Sequence, residues 1–165
     1  GPEMKSTGEV MGIDKDFGLA YAKSQMASQN SLPTKGMAFI SLKDRHKNEG
    51  VDLAKQLIKL GFTLCGTEGT ANRIIKNGIK CKKINKVSGG SPHIIDVLNA
   101  KKIAIVINTG GGKRAYRILD STSLRRATLI NKVPYCTNMS TAYACLEGIK
   151  SLKSKKITVT SLQDV

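Results

Sequence analysis

Four short polar segments each follow an apolar run, and their residue types are those that hold anions. They are residues 43–47 (KDRHK), 66–70 (GTEGT), 86–92 (KVSGGSP) and 108–114 (NTGGGKR). Together they offer backbone N–H groups, hydroxyls, an amide and cations, which is the set of groups that proteins use to bind phosphate. A helix that begins near Gly69 would also direct the positive end of its dipole at such a ligand.

Each segment also has a purely structural explanation. Residues 66–70 could form only a tight strand-to-helix turn in which a threonine caps the helix. The three glycines at 110–112 could simply be flexible, since residues 108–112 match neither the dinucleotide-binding pattern nor the Walker A pattern. The succession of four such segments favours a phosphate site over four unrelated turns.

The polar segments alternate with strand-like and helix-like patterns. Apolar runs predict strands over residues 37–42, 62–65, 79–87, 103–107 and 134–137, with a final edge strand over 156–159. Amphipathic spacing predicts helices over residues 16–30, 48–60, 69–77, 93–99, 122–131 and 139–151. This order predicts an α/β fold of three α/β/α layers, Rossmann-like, around a central, mostly parallel sheet of about five strands. Ligands of such sheets bind beyond the carboxyl ends of the strands, where the polar segments lie.

The charge of the chain is strongly positive. Its 165 residues carry 27 Lys and Arg against 12 Asp and Glu, for a net charge of +15. Such a field attracts nucleic acid, small phosphates or an acidic neighbouring domain. The chain has no Trp and only three Phe and four Tyr, so no aromatic ladder for stacking bases is evident, and a nucleic-acid partner is disfavoured.

Other bulk features exclude further classes. No apolar run approaches the length of a membrane span, and no signal peptide is visible, so neither a membrane nor export is expected. The four cysteines form no CxxC pair and are interpreted as reduced thiols of a cytoplasmic protein, with no metal site.

A series of motifs then carries a family resemblance. The motifs are residues 66–71 (GTEGTA), 85–87 (NKV), 91–96 (SPHIID), 107–109 (INT) and 120–126 (DSTSLRR). In this order they resemble the methylglyoxal-synthase-like domain at the carboxyl end of the carbamoyl phosphate synthetase large subunit. Residues 1–12 resemble the tail of the second ATP-grasp half of that subunit. The resemblance therefore predicts a tail and linker over 1–35 and the methylglyoxal-synthase-like domain over 36–165.

The resemblance implies an allosteric domain that binds nucleotide monophosphates, typically UMP as inhibitor and IMP as activator. Lys47 and Lys86 would pair with phosphate oxygens, and Asn108 would hold the sugar or base side. Gly110 stands where the family often has a hydroxyl. Thr137 matches a position at the boundary with the neighbouring domain, where ornithine binds. The full set of implied effector-binding residues is Lys47, Thr67, Gly69, Thr70, Lys86, Asn108 and Thr109.

The resemblance also implies a parent enzyme. That enzyme is an ATP-dependent ligase, which makes carbamoyl phosphate from bicarbonate and glutamine-derived ammonia for pyrimidine and arginine biosynthesis. Its ATP is used with Mg or Mn, and its partners are the rest of the large subunit and the glutaminase small subunit. No catalytic residue, metal ligand or cofactor site is expected in the present chain.

A methylglyoxal-synthase-type phosphate lyase is the alternative function, because true lyases share this fold. Their reaction needs a carboxylate base, which that family carries in a Gly-Gly-Asp stretch after the third strand. Ser91 occupies the matching position here, and Asp96 follows five residues later. Lyase activity is therefore disfavoured, and His93 is interpreted as a residue at the start of a helix instead of a catalytic acid.

Overall fold

A computed structural model describes residues 32–85, 93–110 and 115–163, with only the backbone described over 115–121 and 155–163. Within these residues, five strands form one sheet in the order β3-β2-β1-β4-β5. Each neighbouring pair of strands is parallel. The strands are β1 (Gly36–Ser41), β2 (Phe62–Gly66), β3 (Lys82–Lys83), β4 (Ile105–Asn108) and β5 (Tyr135–Cys136). The predicted parallel sheet of about five strands is thus confirmed.

Five α-helices connect and follow these strands within the described part of the chain. They are α1 (Lys47–Lys59), α2 (Glu68–Lys76), α3 (Ile94–Asn99), α4 (Ala115–Ile130) and α5 (Met139–Gln163). A short 3-10 turn, Asp44–His46, leads from β1 into α1. Since every described strand pair is parallel, each strand ends at the same edge of the sheet, which we call the carboxyl edge.

Two apolar cores pack against the two faces of the sheet. Alternate residues of β1 belong to different cores, with Ala38 and Ile40 in one and Phe39 in the other. The first core also holds residues of α1, α2 and α5, and the second holds residues of α3 and α4. Because a strand turns successive side chains to opposite faces, a continuous apolar run fills both cores. The predicted three-layer arrangement is confirmed.

Several sequence-based boundaries differ from the structure, three of them substantially. The predicted edge strand over 156–159 is wrong, because these residues continue α5. They are rich in β-branched residues, but no Gly or Pro separates them from the preceding turns, and extending a helix is easier than starting a new element. Within residues 79–85 of the predicted third strand, only Lys82–Lys83 form a strand, and both are exposed; residues 86–87 lie outside the described part of the chain. Helix α4 begins seven residues before the predicted position 122.

The beginning of the chain lies largely outside the described residues. The predicted helix over 16–30 belongs to that part, and the domain boundary at 35/36 stays a prediction. Leu32, just before this boundary, is 5% exposed and packs in the first core. The ammonium of Lys153 on α5 donates a hydrogen bond to the carbonyl oxygen of Thr34 at 3.0 Å.

All four cysteines are buried free thiols. Burial raises the pKa of Cys65 to about 12 and that of Cys81 to about 11. A hydrogen bond with Cys136 and burial raise the pKa of Cys145 as well. Since the thiolate is the reactive form, Cys65, Cys81 and Cys145 are best explained as core residues.

Candidate functional site

Four hydroxyl side chains lie together at the carboxyl edge, at the ends of three neighbouring strands. Ser41 ends β1, Thr67 and Thr70 follow β2, and Thr109 follows β4. We call these four residues the hydroxyl row. Its three threonines are only 2–5% exposed, and buried hydroxyls need hydrogen-bond partners.

The hydroxyl row ties the loop after β1 to the loops on both sides of it. The backbone N–H of Leu42 donates to Thr70 Oγ1 at 3.0 Å, and that of Lys43 donates to Thr109 Oγ1 at 3.1 Å. The hydroxyl of Thr67 donates to Ser41 Oγ at 3.2 Å. The three loops therefore form one connected surface at the centre of the sheet.

Helix α2 begins at this surface without an ordinary side-chain cap. Thr67 occupies the N-cap position with an extended backbone, but its side chain makes no capping hydrogen bond. The first helical bond runs from the N–H of Ala71 to the carbonyl of Thr67 at 2.8 Å. The N–H groups of residues 68–70 come before this bond, so they have no partner within the helix. They form the positive end of α2 at the carboxyl edge.

Lys47 lies against this helix start. A Cβ atom placed on Gly69 would stand 2.8 Å from Lys47 Nζ, which means that the ammonium lies directly over the glycine. Lys47 Nζ also contacts Asp44 Oδ1 at 2.6 Å, and its side chain is 16% exposed against 96% for Asp44. The fold thus brings Lys47, Thr67, Gly69 and Thr70 to one place, although they belong to two different strand-to-helix connections.

Asn108 and Gly110 form the neighbouring part of the surface. Asn108 is 8% exposed, its Nδ2 donates to the hydroxyl of Tyr135 at 3.1 Å, and its Oδ1 accepts from the N–H of Gly110 at 3.1 Å. A Cβ atom on Gly110 would lie 3.5 Å from Ser41 Oγ. The loop after β4 therefore approaches Ser41 closely, with the amide of Asn108 bonded inside the protein.

Other residues predicted for the site lie elsewhere. Lys86 and Ser91 fall outside the described residues. Thr137 is exposed and follows β5, so the width of β1 and β4 separates it from the loop after β2. The interpretation of His93 as a residue at a helix start is confirmed, since its Nδ1 accepts from the N–H of Ile95 at 3.2 Å while Asp96 completes a capping box.

Sequence reasoning missed two residues of this surface. Ser41 had a usable signal, because it is the polar residue that closes the apolar run of β1. His46 is the second, and its Nδ1 lies 3.1 Å from Thr109 Oγ1. No spacing rule connects positions 46 and 109, since the contact exists only because β1 and β4 are neighbours in the sheet.

Comparison with known proteins identifies the class of this domain. A family model described as "MGS-like domain" matches residues 49–137. The fold of the chain is also similar to the crystal structure of methylglyoxal synthase from Elizabethkingia anophelis. The similarity extends over 70% of this chain and 79% of that one, with a TM-score of 0.51 and 19% identity. At this identity, the likeness concerns the fold alone. The chain belongs to the MGS-like domain family.

Relatives at higher identity narrow the class. The chain is 47% identical, over 100% of its length, to the carbamoyl phosphate synthase large chain, C-terminal section, of Methanopyrus kandleri and to that of Aquifex aeolicus. It is also 47% identical, over 99% of its length, to the carbamoyl phosphate synthase large chain of Mesorhizobium japonicum. It spans 30%, 31% and 14% of these three proteins, respectively. The similarity to the C-terminal domain of that large chain, expected from the motifs, is confirmed.

The described residues show neither a membrane-spanning helix nor a cluster of metal ligands. None of the helices there is long and apolar enough to cross a membrane. Within the same residues, no three His, Cys, Asp or Glu side chains cluster in a way that could hold a metal ion.

Proposed function

We propose that this chain is the regulatory nucleotide-monophosphate-binding domain of a carbamoyl phosphate synthetase large subunit. The parent enzyme would be the ATP-dependent, glutamine-hydrolysing ligase, working in the cytoplasm with ATP and Mg or Mn, for pyrimidine and arginine biosynthesis. Its partners would be the other domains of the large subunit and the glutaminase small subunit. The similarity over the whole chain to the C-terminal section of large chains supports this assignment.

The observation that carries the proposal is the position of Lys47 over Gly69, at the beginning of α2. A phosphate at this point would accept hydrogen bonds from the N–H groups of the first helical turn. It would also form a charge-assisted contact with the ammonium of Lys47, and such contacts are stronger than neutral hydrogen bonds. The missing side chain at position 69 leaves room for both kinds of donor to approach the same oxygen atoms.

The remainder of a nucleotide would extend from this phosphate towards β4. From β1 the chain proceeds outward to β2 and β3 and then crosses to β4 on the other side, so the strand order reverses between β1 and β4. Ligands of parallel α/β sheets occupy the crevice at such a reversal. Asn108 and Thr109 border that crevice and would hold the sugar or base, and Lys86 would supply a second cation to the phosphate.

The bound nucleotide would regulate by linkage. An effector that binds one conformation of the parent enzyme more tightly shifts the population towards that conformation. A coupling of about 1–3 kcal/mol is enough to change enzyme output several-fold. UMP and IMP are the proposed effectors, with ornithine on the side of Thr137, and this domain would itself catalyse nothing.

Calorimetric titration of UMP and IMP into matched variants tests the proposal. Lys47→Ala should weaken binding by about ten- to a hundredfold, because a charge-assisted hydrogen bond contributes roughly 1.5–3 kcal/mol. Lys76→Ala is the control, since Lys76 is an exposed lysine at the other end of the same helix. Lys86→Ala should resemble Lys47→Ala.

Nonspecific attraction by the net charge predicts a different result. Both Lys47→Ala and Lys76→Ala would then lose a similar, small part of the affinity, and added salt would remove the difference from the unmodified protein. Equal affinities for these two variants would therefore contradict a specific phosphate site at α2.

A further inference from the structure

We infer that His46 makes anion binding at the carboxyl edge dependent on pH, so that binding strengthens as the imidazole gains a proton. The inference rests on the proposed phosphate site and adds a residue that the motifs do not include. It begins from the contact of 3.1 Å between His46 Nδ1 and Thr109 Oγ1. Histidine is the side chain whose charge ordinarily changes near neutral pH.

The contact with Thr109 suits both protonation states of the ring. Thr109 Oγ1 already accepts the N–H of Lys43 at 3.1 Å, so its own hydroxyl proton can be donated to a neutral His46 Nδ1. When Nδ1 is protonated, it can donate to the second lone pair of the same oxygen atom. The ring therefore keeps its position while its charge changes, and protonation alters the electrostatic field without breaking the loop contact.

The side chain of His46 reaches the loop after β4, next to the crevice that the proposed ligand would enter. It precedes Lys47 in the chain, and the two side chains diverge, one towards the loop after β4 and the other towards the start of α2. Between these two loops lies Ser41, which contacts Thr67 and approaches Gly110. An anion bound at the carboxyl edge beside Ser41 would therefore feel the charge of both the ammonium and the imidazole.

The charged groups nearest to His46 in the chain lie on its own turn and on the first turn of α1, which also carries Glu49. Lys43, Arg45 and the Asp44–Lys47 pair come from its own turn and the start of α1. The adjoining residues 108–110 carry no charge. Lys and Arg keep their charge between pH 6 and pH 8, and so does a carboxylate paired with a cation. A change of affinity in this range is therefore assigned to the histidine.

Sulfate is the probe for this inference, because it carries two charges throughout the range, whereas phosphate monoesters themselves titrate near pH 6. Calorimetric titration at constant ionic strength should give roughly three- to tenfold tighter binding at pH 6 than at pH 8, as expected for one added charge near an anion. His46→Asn keeps a hydrogen-bonding side chain without a titratable charge, so its affinity for sulfate should be the same at pH 6 and at pH 8. His93→Asn, which preserves a helix-capping side chain at the other histidine, should retain it.

Proton magnetic resonance of the unmodified protein provides a second measurement that needs no variant. Linkage requires that saturating sulfate moves the titration midpoint of the His46 ring to higher pH. The shift in pH should equal the logarithm of the ratio of sulfate affinities for the protonated and neutral ring. An unmoved midpoint, or an equal pH ratio in His46→Asn, would overturn the inference while leaving the phosphate site in place. Absence of sulfate and nucleotide binding at both pH values would overturn the site and the inference together.

Discussion

Two lysines near opposite ends of α1 have opposite surroundings. Lys47 begins the helix, and its ammonium lies over Gly69 at the positive end of α2. Lys153 reaches the other end of α1, where its ammonium donates to the carbonyl oxygens of Leu60 and Thr34. One cation adds to an electropositive helix start, and the other neutralises carbonyl groups at a helix end.

The difference follows from the direction of the chain in a parallel α/β fold. Helices that follow parallel strands begin near the carboxyl edge and end near the opposite, amino edge of the sheet. Unpaired N–H groups therefore collect at one edge and unpaired carbonyl groups at the other. The net charge of +15 is consequently a poor guide to a binding site, because a lysine such as Lys153 is engaged by the protein's own carbonyl oxygens. For the same reason a variant at Lys153 would be a poor control in the binding experiments, whereas Lys76 is exposed and suits that purpose.

The largest expected effect is a loss of stability caused by a substitution at the carboxyl edge. In Gly66→Ala the new Cβ atom would stand 2.5 Å from the carbonyl oxygen of Ile40, which is backbone that cannot move aside. We expect the free energy of unfolding to fall by about 3 kcal/mol, as for other overpacked cores. Urea denaturation followed by circular dichroism measures this change. A loss below about 1 kcal/mol would show that β1 and β2 can separate at this end.

A second variant separates binding from stability at the same edge. In Gly69→Ala the Cβ atom meets only the flexible end of Lys47, which can swing away. Folding should change by less than about 0.5 kcal/mol, since alanine is a better helix former than glycine. Affinity for nucleotide monophosphate should nevertheless fall about tenfold, because the ammonium no longer lies over the helix start. Unchanged affinity in calorimetry would contradict the position assigned to the phosphate.

The smallest expected effects concern the amino edge, where backbone conformation matters more than charge. Gly78 ends α2 with φ of 81° and has nothing within 4 Å of a built Cβ, whereas Lys132 ends α4 with φ of 55°. Gly78→Ala should destabilise by about 1 kcal/mol, and Lys132→Gly should stabilise by a similar or smaller amount. Thermal unfolding measures both changes. Neither variant should alter nucleotide affinity, and an effect on binding would weaken the contrast between the two edges.

The predictability of each element followed the strength of its local pattern. The helix predicted over 48–60 is observed at Lys47–Lys59, because its apolar spacing and its terminal glycine agree. The strand predicted over 156–159 failed, because β-branched composition is weaker than continuation of an existing helix. The third strand was overestimated, because within the described residues 79–85 only Lys82–Lys83 form a strand in register with β2.

Within the candidate site, the polar segments could be located but not the contacts between them. Positions 47, 67, 69 and 70 were identified from their placement after strands and from family motifs. Ser41 and His46 were not, since each acts through a residue of another loop. Asn108 was expected to face a ligand, yet its amide is bonded to Tyr135 and Gly110.

The amino-acid sequence by itself determined the α/β class, the order of the elements and the edge of the sheet that carries the polar loops. These properties depend on local periodicity, on turn residues and on the rule that parallel strands end together. Only the tertiary structure decided that β1 lies between β2 and β4, because strand order depends on long-range packing of both sheet faces. Because of that position, two adjacent residues reach opposite neighbours of β1: Lys47 lies over Gly69, and His46 contacts Thr109.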